Sequence, residues 1–271
     1  MRRLVLALLC GTALSSAAVT YRVKLTSNDA GRIIEVPAEQ YVAGVLAGES
    51  SIFQSNEALK AMAIAARTYA ARMRPRHSAE GYDFCSTTHC QRFEPNGINP
   101  RFLAIAQTTS GKLLWYEGKP AFAVYSRDCG GATESVSSVW PSVEAPYLSG
   151  KTDPYCTRES PKHWSWTANP IQIVQALQAS ALKSPQPLQQ IAILSRSNSN
   201  RARTLNLEGP SSSIAISESS FRFAIGRALG WNLLRSDRYE VHGNSGQIDF
   251  EGEGEGHGVG LCQHGADEMG R

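Results

Sequence analysis

Glu49 is the first residue whose position implies chemistry. Val42, Val45, Leu46 and Glu49 follow i, i+3, i+4, i+7 spacing, which puts the carboxyl on a helix face with three aliphatic side chains. The helix ends there, so the negative end of its dipole faces the carboxylate. Both surroundings disfavour charge and raise a pKa, as a general acid near neutral pH requires. From helix geometry alone, the position fits better an exposed helix-end glutamate paired with Lys60 or Arg67.

Cysteine and histidine supply the second set of candidates. Cys85-Ser-Thr-Thr-His89-Cys90 either closes a small disulfide loop or offers two thiolates and an imidazole to zinc, with no evident fourth ligand. Cys129 precedes Gly130-Gly131 and Cys156 follows a Pro154-Tyr155 turn, and these two are the expected disulfide. Cys262-Gln263-His264 places a thiol and an imidazole two residues apart, but nothing nearby would orient them for nucleophilic catalysis. No Gly-x-Ser-x-Gly elbow is present for a serine hydrolase.

Glycine alternates through Glu251-Gly-Glu-Gly-Glu-Gly-His257-Gly-Val-Gly260. In an extended strand, bare backbone would occupy one face, with Glu253, Glu255, His257 and Val259 on the other. The spacing is not that of a phosphate cradle, and its glutamates would repel phosphate. Bare glycine admits a flat ligand such as a sugar, or another length of backbone.

The elements that must hold these residues read as an α+β fold with short helices and mixed, largely antiparallel strands. Strands are expected at 21–23 and 32–36, around an Asn28–Gly31 turn. Pro37 suits the first position of the Glu49 helix. A second helix begins at Asn56, whose side chain can cap it, with Leu59, Met62, Ala66, Tyr69 and Met73 as its apolar stripe. A helix at 102–109 and strands at 112–116 and 121–125 follow. The second half offers helices at 170–181 and 219–229, a hairpin of 191–196 with 203–207, and strands at 239–242 and 247–251. Ser184-Pro-Gln-Pro187 is the best linker candidate, so a subdomain break is expected near 182–188.

Composition bounds the compartment and the partners. Arg2 and Arg3, a short apolar core and Ser16-x-Ala18 make a Sec-type signal peptide over residues 1–18, leaving 19–271 as the exported domain, periplasmic or extracellular and cell-wall associated. No later segment is apolar enough to span a bilayer. The formal charge is +3, and without Arg2 and Arg3 it is +1, which argues against a nucleic-acid partner.

A family resemblance covers nearly all of the exported chain. Val36-Pro-Ala-Glu39-Gln-Tyr41-Val-Ala-Gly44-Val, then Glu49, then Glu57-Ala-Leu-Lys60-Ala-Met-Ala63-Ile-Ala-Ala-Arg67-Thr-Tyr69-Ala70 resembles the opening of the SpoIID/LytB family. Cys85 to Gln91, Ala123 to Trp140 with Cys129-Gly-Gly-x-Thr133-Glu134, and Gly256-His257-Gly-Val-Gly260 with Gln263 follow in family order. The family comprises the stage II sporulation protein D and the amidase enhancer LytB. The resemblance implies a lytic transglycosylase, active in wall remodelling or sporulation on peptidoglycan strands that lack stem peptides. Glu49 is then acid and base, with Arg67 orienting it or meeting a lactyl carboxylate. Gln91, Tyr125, Ser126, His257 and Gln263 would line a glycan-binding groove. Cys85, His89 and Cys90 would hold at most one structural zinc, and catalysis needs no cofactor.

The resemblance also leaves open a non-catalytic, glycan-binding enhancer of a cell-wall amidase, and the Cys-His-Cys set leaves open a zinc amidase. Related sequences carry an arginine and an aromatic residue where this chain has Glu253 and Glu255, so weaker hold on anionic glycan is expected. They usually continue through a closing helix, so the C-terminus reads as truncated at Arg271 or weakly tied.

Overall fold

The computed structural model describes residues 19–26, 31–50, 52–158, 162–244 and 246–271. The expected signal-peptide segment, residues 1–18, and most of the expected Asn28–Gly31 turn lie outside them. Strands β1 (Thr20–Lys24) and β2 (Ile33–Pro37) pair antiparallel, and helix α1 (Ala38–Glu49) follows without a break. Pro37 is the residue just outside the helix, one place before the position expected for it. Helix α2 (Asn56–Met73) is capped by Ser55, whose hydroxyl accepts from the Ala58 N–H. Asn56, the expected cap, instead accepts from Arg101 Nε at 2.9 Å. Leu59, Met62 and Ala66 of the expected stripe are fully buried, and Tyr69 nearly so.

A 3-10 segment (Arg74–Glu80) leads to β3 (Phe84–Cys85), which pairs parallel with β1 and completes the order β2-β1-β3. Helix α3 (Pro100–Thr108) packs on α1 and α2, with Asn99 as its cap. The expected strands over 112–125 shrink to the pair β4 (Trp115–Tyr116) and β5 (Lys119–Pro120), then β6 (Tyr125–Ser126). A single turn, α4 (Val136–Val139), follows.

The second half has its own apolar cluster. Strand β7 (His163–Ala168) and helix α5 (Pro170–Ala179) precede β8 (Gln190–Arg196), β9 (Ala202–Glu208) and β10 (Ser213–Ser217). Helix α6 (Glu218–Leu229) and strands β11 (Tyr239–Asn244) and β12 (Gln247–Glu253) complete it. Two antiparallel sheets result, ordered β10-β9-β8 and β11-β12-β7, with Phe221, Ile173, Leu205 and Phe250 buried among them. Residues 182–188 run through this cluster: Leu188 is buried in it, Leu182 packs against it, and Pro185 lies on Gly209.

The chain then returns to the first half. Strand β13 (Leu261–Cys262) pairs parallel with β6, and α7 (Gln263–Gly270) packs on α2. Asp267 Oδ1 accepts from the Gln54 and Ser55 N–H groups, both at 2.8 Å, so the last helix is firmly held to the start of α2. Among the described residues, no helix is long and apolar enough to cross a membrane.

Candidate active site

The last turns of α1 present a bare stripe to the segment after β3. A Cβ on Gly44 would sit 2.2 Å from the Phe93 ring, and one on Gly48 would sit 2.2 Å from the Arg92 carbonyl oxygen. Glycine at both positions, four residues apart, lets residues 91–94 lie directly on the helix backbone. That contact brings the Arg92 N–H within 2.8 Å of Glu49 Oε1, to which it donates. Among the described residues, this is the carboxylate's one hydrogen bond.

Burial raises the Glu49 pKa above the ordinary carboxylate value. The Arg92 N–H and the charges of Arg92 and Arg127 act against that rise and do not cancel it. The result is a carboxyl that keeps its proton to higher pH than a free glutamate, with one oxygen fixed.

Gln91 and Tyr125 belong to the same neighbourhood. Tyr41 donates to Gln91 Oε1 at 3.2 Å, and Gln91 Nε2 donates to Tyr125 Oη at 3.1 Å. Tyr41 is itself fixed between the Phe84 and Phe93 rings. Burial and then the nearby Glu49 carboxylate push the Tyr125 hydroxyl well above its usual pKa, so it stays a neutral donor.

The remaining expected site residues have other partners. Arg67 turns away from Glu49: its guanidinium pairs with Glu39 at 2.5 Å and donates to the Ala106 carbonyl at 2.9 Å and to Thr109 at 3.2 Å. It is a buried pin between α1, α2 and α3, because an interior guanidinium needs acceptors on every side. Ser126 Oγ donates to the Glu255 carbonyl and accepts from the Gly258 N–H, so it anchors the glycine run. Gln263 is buried, with Nε2 against Met62 Sδ at 3.9 Å.

His257 Nδ1 accepts from the Val259 N–H at 3.1 Å, and the ring meets Trp140 edge-on. Burial, with Arg201 nearby, lowers its pKa to about 4, so it is a neutral scaffold imidazole at neutral pH.

The glycine run does not form the expected extended strand. Strand β12 ends at Glu253, and Gly254, Gly256, Gly258 and Gly260 take φ of +76, +100, +74 and +81°. These conformations disfavour side chains, and the neighbours forbid them too: a Cβ on Gly260 would lie 2.0 Å from the Val124 carbonyl oxygen. The bare backbone admits other protein backbone. Nor do the alternating side chains share a face. Glu253 pairs with Arg238 and Glu255 with Arg127, while Val259 is fully buried.

The Cys-His-Cys motif gains a fourth member that spacing did not reveal. His77, from the 3-10 segment, places Nε2 3.3 Å from Cys90 Sγ. Cys85 Sγ lies 3.4 Å from Cys90 Sγ, and His89 Nδ1 lies 3.7 and 3.8 Å from the two sulfurs. These edges fit a tetrahedron around zinc, whose bonds to sulfur and nitrogen are about 2.3 and 2.0 Å. His77 is also oriented from behind, its Nδ1 meeting Glu80 Oε1 at 2.6 Å.

The expected Cys129–Cys156 bridge is not formed. Both are free thiols, and Cys262 lies with them.

A family model described as stage II sporulation protein matches residues 26–116, and a domain of unknown function, DUF8618, matches 156–260. Stage II sporulation protein D of Bacillus amyloliquefaciens is 30% identical over 273 aligned positions, spanning 94% of this chain and 74% of that protein. The chain belongs to the SpoIID/LytB family. The Bacillus subtilis stage II sporulation protein D is 27% identical over the same shares of each chain. The amidase enhancer of Bacillus subtilis is 34% identical over 130 positions, 48% of this chain and 17% of that protein. In this SpoIID-family chain the matched segment 26–116 carries Glu49, Gln91 and the four-residue Cys-His set, whereas Tyr125 and the glycine run lie beyond it.

Proposed function

We propose that the protein is an exported peptidoglycan lytic transglycosylase that acts on glycan strands without stem peptides. The observation that carries this reading is the Glu49 carboxyl: partly buried, raised in pKa, and held through one oxygen by the Arg92 N–H. Such a group donates a proton to the glycosidic oxygen leaving N-acetylmuramic acid, as positive charge develops at C1. The carboxylate that remains takes the proton of the muramic 6-hydroxyl as that oxygen bonds to C1. The products are a 1,6-anhydro end and a free 4-hydroxyl. One carboxylate suffices because the attacking hydroxyl belongs to the same sugar. Gln91 and Tyr125 supply neutral polar contacts beside it.

His77, Cys85, His89 and Cys90 would hold one zinc ion in this reading. Four protein ligands leave no open position for a metal-bound water, so the ion is structural and the zinc-amidase alternative is disfavoured. The second reading is a non-catalytic partner of a cell-wall amidase, supported by the similarity to a protein named amidase enhancer.

Incubation with denuded and with intact peptidoglycan, followed by mass spectrometry, separates the readings. Anhydro ends released from denuded strands support the transglycosylase. Their absence, with stimulation of a cell-wall amidase, supports the enhancer.

A further inference from the structure

The three remaining thiols converge on one point from three distant parts of the chain. Cys129 follows β6, Cys156 lies in the turn after Asp153, and Cys262 opens α7. All three are buried, and their sulfurs lie within 4.8 Å of one another and of an Asp153 carboxylate oxygen. We infer that Cys129, Cys156, Cys262 and Asp153 form a second metal centre, a closed thiolate-rich site for one zinc ion, separate from the His77–Cys90 set.

The surroundings are those of thiolates held for a cation. Cys262 Sγ accepts from the Cys129 N–H and the Gly265 N–H, both at 3.3 Å, at the positive end of α7. Gly130 and Gly131, at φ +67 and +95°, turn the backbone directly after Cys129. Asp153 is aimed as well. Its Oδ1 accepts from the Cys156 N–H at 3.2 Å, leaving Oδ2 3.3 Å from Cys129 Sγ. Gly265 makes room for it, since a Cβ there would lie 2.1 Å from Asp153 Oδ2.

A disulfide accounts for less of this arrangement. It would join two of three sulfurs and leave a buried thiol and a carboxylate facing each other without a cation. Three soft sulfurs with one hard oxygen, in a tetrahedral count of four, match zinc. Behind Cys156, Asp128 Oδ1 lies 3.2 Å from its sulfur, and His264 Nδ1 lies 3.8 Å from that sulfur and 3.1 Å from Asp128 Oδ2. The centre clamps the Cys129 loop to the start of α7, and so fixes β13 on β6 beside Tyr125.

The test needs no active enzyme. The intact chain is alkylated under native conditions, with and without a zinc chelator, and its cysteines are mapped by mass spectrometry. Cys129, Cys156 and Cys262 should resist alkylation together and become reactive together once the chelator is present. Protection that persists with chelator, reactivity without it, or a recovered disulfide among the three would each overturn the proposal. In parallel, the double variant Cys85→Ser, Cys90→Ser, shown to be folded by circular dichroism, should retain one zinc ion per chain. Its cobalt form should show thiolate charge-transfer bands that Cys156→Ser removes. A folded variant that holds no metal when supplied with zinc would overturn the proposal.

Discussion

The Arg92 N–H and the Glu49 carboxylate meet at 2.8 Å because Gly48 leaves no side chain between them. The contact fixes one oxygen of the carboxylate and turns the segment carrying Gln91 toward it. Gly48 is therefore a positioning residue. Gly48→Ala forces a Cβ against the Arg92 carbonyl and should cost about 1–3 kcal/mol as overpacking. Glycan cleavage should fall further than stability does, because the donor to Glu49 is displaced. Thermal unfolding and turnover measured on the same preparation check this, and unchanged turnover would contradict it.

The pH profile follows from the same surroundings. Glu49 acts as an acid only while protonated, and burial raises its pKa, so the alkaline limb of turnover should lie above the ordinary carboxylate range. Arg127 favours the carboxylate form. Arg127→Gln should therefore move the alkaline limb to higher pH. A shift to lower pH would contradict the assignment.

Arg67 should matter to stability rather than to the chemical step. Arg67→Met strands Glu39 and several buried carbonyls, and breaking such a pair costs about 3 kcal/mol. For a chain of this size that lowers Tm by about 10 °C. At a temperature where the variant remains folded, its turnover should match that of the wild type.

His257 gives a second, independent titration. Its pKa is lowered to about 4 from 6.5, so folding favours the neutral ring. Stability should be fully present above the unfolded value and be lost as pH falls from about 6.5 through about 4. Histidine NMR should place its midpoint there, and His257→Asn should flatten that part of the stability curve.

Much of this was legible in residue spacing, and the failures share a cause. Helix α1 and the Glu49 position follow from periodicity. The β8–β9 hairpin and α5 follow instead from turn and start residues, Ser197-Asn-Ser-Asn200 and Asn169-Pro170. Strands β7 and β10 are not among the expected elements, although His163-Trp-Ser-Trp-Thr-Ala168 and Ser213-Ile-Ala-Ile-Ser217 both alternate. Long-range partners were not readable at all. His77 lies eight residues before Cys85, outside the compact motif, and Arg67 has the sequence position of a Glu49 neighbour but a Glu39 contact. Gly254 to Gly260 alternate as a strand would, yet their positive φ angles and the backbone packed on them come from tertiary structure. Glu134 carries a further long-range role, accepting from Ser199 and Arg203 and so joining the two halves.

The central claim is that Glu49 is both acid and base. The most direct measurement compares wild type and Glu49→Gln on denuded glycan strands, with 1,6-anhydro ends counted by mass spectrometry. The glutamine still accepts the Arg92 N–H, so the fold should be kept, while product formation should fall at least about 100-fold. A folded Glu49→Gln protein that produces anhydro ends at the wild-type rate would contradict the account.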